Sequence, residues 1–327
     1  MKVLITGGSG FIGTNLVQHF LRVGYEVLSV DVSPPRIKEH KNLFKNVSIL
    51  DLEKLCVVIL EYKPTHIVHL AARADLDEKK DIRGYEVNIK GVENLIAAMR
   101  KAKCTQRCIF ASTKLVIPNG ETPKNELDYR PDSLYGQSKV IGEKIVRAEA
   151  ETDFEWCIIR PSSIWGPWSD ASYNPYGRFF KTVAGGYYFH PGNLDPPRSY
   201  GYVGNAAYQI QKLLEAPVEK IHKKTFYLAD YENYHIRQWA NTISMKSRGR
   251  RVKTVPMFLV RLAAVTGDLL KLLGVKNPPI TSFRLKNMMA NTATLPLDAI
   301  KELTGQLPFS IDEGVDETVK WLKRYGR

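Results

Sequence analysis

Apolar residues recur along the first 160 positions in two alternating rhythms. Short unbroken runs suit strands buried on both faces: Val3-Leu4-Ile5-Thr6, Glu26–Val30, Val47–Leu50, His66–Leu70, Arg107–Phe110 and Trp156–Ile159. Between them lie stretches with helical spacing, among them Phe11, Ile12, Leu16, Val17, Phe20 and Leu21, then Leu52–Tyr62 before the breaker Pro64, Ile82–Arg100 and Ser133–Ala150. This alternation predicts an α/β fold with a doubly wound parallel sheet over residues 1–160. After Arg160 the texture changes. Residues 161–205 are rich in Gly, Pro, Tyr and Trp; Thr225–Ala229 reads as a strand returning to the sheet; Arg237–Ser247, Met257–Leu273 and Asp312–Tyr325 read as helices. Residues 161–327 are expected to form a smaller, partly interleaved lobe, with a substrate cleft between the two parts. Val255–Val275 is rich in Leu and Val but carries Arg261, Asp268 and Lys271, which makes it a poor spanning helix and predicts an amphipathic one packed on the protein.

The first strand runs straight into Gly7, Gly10 and Gly13 and then into a helix. That order is what a dinucleotide-binding unit of the Rossmann type requires. Gly7 permits the tight turn, Gly10 lets the backbone approach a pyrophosphate, and Gly13 lets helix and strand pack closely. The helix N-terminus, with Phe11 and Ile12 as its first residues, offers unpaired N–H groups and partial positive charge to the phosphates. Asp31 ends the second strand, 24 positions after Gly7. A carboxylate there accepts hydrogen bonds from the adenine ribose and repels a 2′-phosphate, so NAD is preferred to NADP. Arg36 nearby keeps NADP open.

The 327 residues carry a net charge of +13, from 47 basic and 34 acidic side chains. No arginine-rich or aromatic-basic repeat points to nucleic acid, and the charge is read as favouring small anionic ligands, with loose association at a membrane face as a lesser option. Cys56, Cys104, Cys108 and Cys157 form no C-x-x-C pair and have no His cluster beside them, so no metal site is expected and free thiols in a cytoplasmic setting are. The apolar stretch after Lys2 is broken by glycines too early for a signal peptide.

Tyr135-Gly-Gln-Ser-Lys139 is the second signal. Positions i and i+4 share a helix face, so Tyr135 and Lys139 can point into one pocket, where an ammonium and a nicotinamide cation would lower the phenol pKa towards that of a usable base. With these motifs in hand the chain resembles the extended short-chain dehydrogenase/reductase family, which holds nucleotide-sugar epimerases, dehydratases and reductases. The resemblance spans essentially the whole chain. It rests on Thr6–Gly13, Asp51-Leu52, His69-Leu-Ala-Ala72, Asn88-Ile-Lys-Gly91, Ser112-Thr113, Tyr135–Lys139, Arg160–Pro167 and Arg198–Val203. It implies that Asp51 and Leu52 contact the adenine, that Leu70, Ala71, Ala72 and Asn88 lie along the cofactor, and that Pro161 and Ser162 flank the nicotinamide. It also makes Thr113 the hydrogen-bond partner of the reacting oxygen, Tyr135 the acid/base and Lys139 its partner and a ribose contact. Taken singly, His69–Ala72 reads equally well as a buried strand end, and Asn88 as a helix residue bonding nearby backbone.

Departures from the family pattern narrow the chemistry. Its sugar dehydratases follow the catalytic Thr with Asp-Glu; here Lys114 and Leu115 stand there, which disfavours dehydration. Val116-Ile117-Pro118 is an atypical continuation, Ser163 replaces an Asn common in nucleotide-sugar enzymes, and Gly204-Asn205 replaces an acidic pair, a slight likeness to the steroid-dehydrogenase branch. Arg198 matches the arginine that meets the substrate diphosphate, while Arg178 and Arg284 are further candidates for an anionic substrate. The aromatic cluster Tyr173, Tyr176, Tyr187, Tyr188 and Phe189 suits either stacking or lobe packing. The expectation is an NAD-dependent sugar epimerase, acting on a nucleotide-sugar by transient oxidation at C4. The alternatives are a net dehydrogenase or reductase of a keto-sugar nucleotide or sterol-like alcohol, and a nucleotide-sensing module without catalysis, against which Thr113, Tyr135 and Lys139 argue. By analogy with relatives, a homodimer is expected.

Overall fold

The computed structural model describes residues 1–149, 153–169, 175–193, 195–275, 278, 280–289, 291–292 and 294–326, with the backbone alone at 175, 176, 284, 287 and 288. Its centre is a seven-stranded sheet built from β1 (Lys2–Thr6), β2 (Glu26–Asp31), β3 (Phe44–Asn46), β4 (His66–His69), β5 (Arg107–Ala111), β6 (Glu155–Pro161) and a late strand, Thr225–Leu228. Every neighbouring pair is parallel. Reading across the sheet, β3, β2 and β1 lie on one side of the point where the order reverses, and β4, β5, β6 and the late strand on the other. Crossover helices α1 (Phe11–Arg22), α2 (Leu52–Tyr62), α3 (Glu86–Ala102) and α4 (Leu134–Ala148) join the strands.

Strand alternation divides the core into two layers. Leu4, Leu28, Ile67, Cys108 and Ile158 pack with Leu55 and Ile59 of α2 and Leu95 and Met99 of α3. Val3, Ile5, Val68, Ile109 and Ile159 face the other way, onto Leu16, Val17 and Phe20 of α1. Each such aliphatic side chain, fully buried, contributes about 1.5–3 kcal/mol. The third strand lies at Phe44–Asn46 rather than at Val47–Leu50. Val47 and Ile49 are buried, but as core plugs in the loop before α2, where Ile49 fills the space above Gly91; an apolar run marked burial there, not extension.

Beyond β6 the chain continues as β7 (Ser163–Trp165), α5 (Pro175–Gly185), β8 (Phe189–Pro191), β9 (Pro197–Arg198) and β10 (Tyr200–Tyr202). Then come α6 (Val203–Glu215), α7 (Val218–Ile221), the late sheet strand β11 (Thr225–Leu228), β12 (Tyr234–His235), α8 (Ile236–Arg248), β13 (Lys253–Val255), α9 (Met257–Leu272), α10 (Ser282–Met289), α11 (Asp298–Thr304) and α12 (Ile311–Tyr325). Helix α6 lays Ala207, Ile210 and Leu214 onto the α1 layer. A separate aromatic core joins Trp165, Phe180, Tyr202, Tyr234 and Trp239. Tyr188 belongs to this packing, edge-on to Phe179, whereas Tyr187 and Phe189 are exposed; Tyr173 and the side chain of Tyr176 lie outside the described residues. All four cysteines are free. Among the described residues no helix is long and apolar enough to cross a membrane.

Candidate active site

In sheets of this topology ligands bind outside the carboxyl ends of the strands where the order reverses, here between β1 and β4. The loops leaving those two strands meet there. Gly7 has a positive φ of 76°, and a Cβ on it would sit 2.6 Å from the Ala71 amide nitrogen. A Cβ on Gly13 would lie 2.1 Å from the Gly7 carbonyl oxygen. Both positions admit glycine alone, so the turn can lie flat against Leu70 and Ala71 while α1 closes onto it. Gly10 caps α1 in extended conformation with no side chain over the amides that follow. The result is an open cradle of backbone N–H groups at a helix N-terminus, a shape and charge that fit a pyrophosphate.

Asp31 stands at the end of β2. Its two oxygens accept the Ser9 and Ser33 amides at 3.1 and 3.0 Å, which aims the carboxylate along the glycine loop and leaves acceptor capacity on each oxygen. Arg36 donates to the Ser9 carbonyl at 2.9 Å and the Trp168 carbonyl at 2.7 Å, tying the segment after β7 to the loop. Asp51 caps α2, accepting the Lys54 amide at 3.1 Å, and Leu52 is exposed in the first turn. Asn88 is buried, and its amide is engaged by the Arg73 backbone on both sides and by Ser138 at 2.9 Å. It therefore fixes the segment after Ala72 and docks α3 on α4. Ala72 and Pro161 line the same end of the sheet, Pro161 in register with Leu228.

The residues expected from sequence to serve proton transfer, Thr113 and Tyr135, lie just after β5 and in the first turn of α4. Ser133 caps α4, accepting the Gly136 amide at 3.2 Å, and orients its first turn. A Cβ on Gly136 would lie 2.4 Å from the Leu115 carbonyl oxygen, so glycine is what allows Tyr135 to approach the loop bearing Thr113. Tyr135 lies beside Thr113, whose hydroxyl accepts the Leu115 amide at 3.2 Å, and both are buried. Burial raises the phenol to about 12, opposed by the nearby Thr113 hydroxyl. Lys139, one turn on, donates to the Ala111 carbonyl at 2.9 Å, and its own charge is disfavoured by burial, which brings it down to about 8; the lowered phenol expected from sequence required a nicotinamide cation as well as this ammonium. His69, buried beside it and bonded to Thr6 at 2.7 Å, is pushed down to about 3 by burial and then by the Lys139 charge, and is neutral.

Two hydroxyls here, Ser112 Oγ and Ser162 Oγ, are buried with no protein partner. Unpaired buried hydroxyls beside a glycine cradle fit a polar ligand that completes them. Sequence reasoning passed over Lys114 except as a departure from pattern. Burial, and after it the charge of Arg198, lowers Lys114 to about 8, so these two cations share one region beside Thr113. Arg198 is buried on β9 and bridges to Thr292. Arg178 is exposed on α5, and the side chain of Arg284 lies outside the described residues.

The model of the NAD dependent epimerase/dehydratase family matches residues 3–229. The chain belongs to this family. NAD is its cofactor, in keeping with the glycine cradle and Asp31. A 3-beta-hydroxysteroid dehydrogenase of Mycolicibacterium neoaurum is 33% identical over 176 residues, covering 50% of this chain and 48% of the relative, so the match spans about half the length of that relative. The N-acetyl-alpha-D-glucosaminyl-diphospho-ditrans,octacis-undecaprenol 4-epimerase of Escherichia coli O157:H7 is 25% identical over 332 residues, covering 98% of this chain and 95% of the relative. A UDP-glucose 4-epimerase of Thermotoga maritima, solved with UDP-glucose, superposes with a TM-score of 0.75 at 22% identity, covering 99% of both chains, which shows the shared fold.

Proposed function

We propose that this protein is an NAD-dependent epimerase that inverts C4 of a sugar carried on a diphosphate, a nucleotide-sugar being the first candidate, with Tyr135 as acid and base. The observation that carries the reading is the buried juxtaposition of Thr113 and Tyr135, one helical turn from Lys139 and beside the glycine cradle. The match to a 4-epimerase over nearly the full length of both chains supports it. Gly7, Gly10, Phe11, Ile12 and Gly13 would hold the pyrophosphate, Asp31 the adenine ribose, Asp51 and Leu52 the adenine edge, and Leu70–Ala72, Pro161 and Ser162 the path to the nicotinamide. Bound there, NAD would supply a reversible hydride acceptor for the sugar carbon.

The chain's own residues then have distinct tasks. Thr113 steadies the sugar oxygen as it passes from hydroxyl to ketone and back. Tyr135, neutral in the resting pocket, is ready to donate a proton to a ketone oxygen; to remove one it must ionise, which requires positive charge close by. Lys139, released from the Ala111 carbonyl, is the group of this chain placed to supply it. Lys114 and Arg198 would hold the diphosphate. Residues 1–160 would act as the cofactor unit and 161–327 as the substrate lobe, in a cytoplasmic homodimer, a placement in keeping with four free thiols.

A second reading, net oxidation of a sterol-like alcohol, is favoured by the steroid dehydrogenase relative and uses the same triad. Replacing Tyr135→Phe tests the shared chemistry: turnover is expected to fall by about 10²–10⁴-fold with cofactor still bound, and near-normal turnover removes Tyr135 from its role. Screening UDP-, GDP-, CDP- and dTDP-sugars for product and for cofactor absorbance separates the two readings.

A further inference from the structure

Helix α9 carries its apolar residues on the wrong side for a soluble lobe. Only Val260, Ala264 and Gly267 are buried, an i, i+4, i+7 stripe that seats the helix on Leu285 of α10. The opposite arc holds Phe258, Leu262, Val265, Leu269, Leu272 and Leu273, which are 53–83% exposed. At 100° per residue Arg261 and Asp268 fall along one border of that arc and Lys271 falls on the side of the buried stripe, in the last turn, so the helix's charged side chains leave the outward arc apolar. Exposed Phe283 on α10 and Phe189 on β8, whose partner strand β13 leads into α9, add to it. Exposed apolar faces of this kind mark interaction sites, since soluble monomers keep even their largest apolar patch to about 300–600 Å².

Charge identifies what covers it. Between Arg248 and Lys286 the chain has nine basic residues and a single acid, Asp268. Arg250, Arg251 and Lys253, on the approach to α9, are exposed, as are Arg261, Lys271 and Lys286. A second copy of this face would bring like charges together around the apolar contact, whereas anionic headgroups would neutralise them. An exposed apolar helix face rimmed by Lys and Arg is the pattern of a helix that lies in the plane of a membrane interface. We propose that α9 and α10 dock this protein on an anionic lipid bilayer, as a surface-bound protein whose apolar face enters the headgroup boundary. The chain leaving α10 runs beside the candidate site: the Thr292 amide donates to the Pro197 carbonyl at 3.2 Å, the Ser199 amide to the Thr292 carbonyl at 3.4 Å, and Asn291 abuts Gly120. Docking would therefore set the Arg198 region near the interface, where a lipid-borne substrate is presented. Bilayer binding itself does not depend on the sugar chemistry proposed above.

The test is co-sedimentation of the full chain with phosphatidylcholine vesicles, with and without about 30% phosphatidylglycerol, at about 0.05 M and about 0.5 M salt. The wild type is expected to sediment with the anionic vesicles and to be released by salt. The double variant Leu262→Asp/Leu269→Asp, altered at exposed positions, is expected to bind at least about tenfold more weakly with an unchanged thermal melt and unchanged turnover of a water-soluble nucleotide-sugar. A triple variant, Arg250→Glu/Arg251→Glu/Lys253→Glu, is expected to lose the preference for anionic vesicles. Wild type left in the supernatant, or a double variant that sediments like wild type, overturns the proposal. So does self-association in sedimentation velocity that the leucine changes abolish without any vesicle binding, since a second copy would then cover the face.

Discussion

Gly13 and Lys114 show how much a single position decides. Gly13 is an inner contact: any Cβ there meets the Gly7 carbonyl oxygen at 2.1 Å, so α1 must move away from β1 or the turn must open. Gly13→Ala is expected to cost at least about 1–3 kcal/mol in thermal or urea unfolding, the range for overpacking a tight contact, and to weaken NAD binding measured by calorimetry. Unaltered stability and affinity would mean the cradle is looser than drawn. Lys114 stands where dehydratases of the family have an acid, and its charge shares a region with Arg198. Charge-assisted hydrogen bonds are worth about 1.5–3 kcal/mol, so Lys114→Met is expected to raise KM for a sugar diphosphate by about 10- to 100-fold while kcat changes little. A fall in kcat at constant KM would instead place Lys114 in the proton transfer. The glycines were legible in the sequence because backbone geometry admits no other residue. The resting state of Tyr135 was not: the i, i+4 spacing gave a shared face but not the Ala111 carbonyl that holds Lys139 in place.

Among elements, those with local rules were read closely. Helices α2, α8 and α12 match their expected spans to within a residue, and Ser310 with Glu313 forms the capping box that starts α12. Helix α6 went unread although Val203, Ala206, Ala207, Ile210, Leu213 and Leu214 keep helical spacing, because the preceding Gly- and aromatic-rich stretch masked its start. The stretch around α9 was expected to pack on the protein; it does so by a narrow stripe only, since periodicity measures the width of an apolar face and not which side meets the core. Elements of the lobe are held by contacts no motif announces. Asp230, just past β11, accepts the Tyr202 amide at 3.1 Å, the Asn205 amide at 2.9 Å and the Tyr234 hydroxyl, joining β10, α6 and β12. Burial, against these bonds, raises its carboxyl from 3.8 to about 6. A raised carboxyl pKa means the folded state binds the extra proton, so its contribution is present at low pH and declines as pH rises from about 4 to about 6. Melting temperatures of wild type and Asp230→Asn across that range are expected to converge in slope elsewhere and to differ there, wild type losing stability relative to the variant; parallel curves would remove this carboxyl from the pH response.

The whole molecule combines a sheet legible in the sequence with a lobe that is less so. The alternating apolar runs and the glycine turn predict a doubly wound parallel sheet with a ligand crevice at the carboxyl ends of its strands, while the order of the strands, and so the place of the crevice between β1 and β4, comes from the structure. In the lobe, position depends on long-range aromatic packing around Trp165 and Trp239, which sequence spacing does not encode. The central claim concerns the molecule as a whole: cofactor cradle, Thr113–Tyr135 pair and diphosphate-binding cations act together in a reaction without net redox change. It is tested most directly by giving the purified protein a nucleotide-sugar deuterated at C4 and following sugar product, isotope and cofactor absorbance together. The account predicts C4-inverted product that keeps its deuterium, with no net accumulation of NADH. Stoichiometric formation of NADH with a keto product, or loss of the label to solvent during inversion, would contradict it.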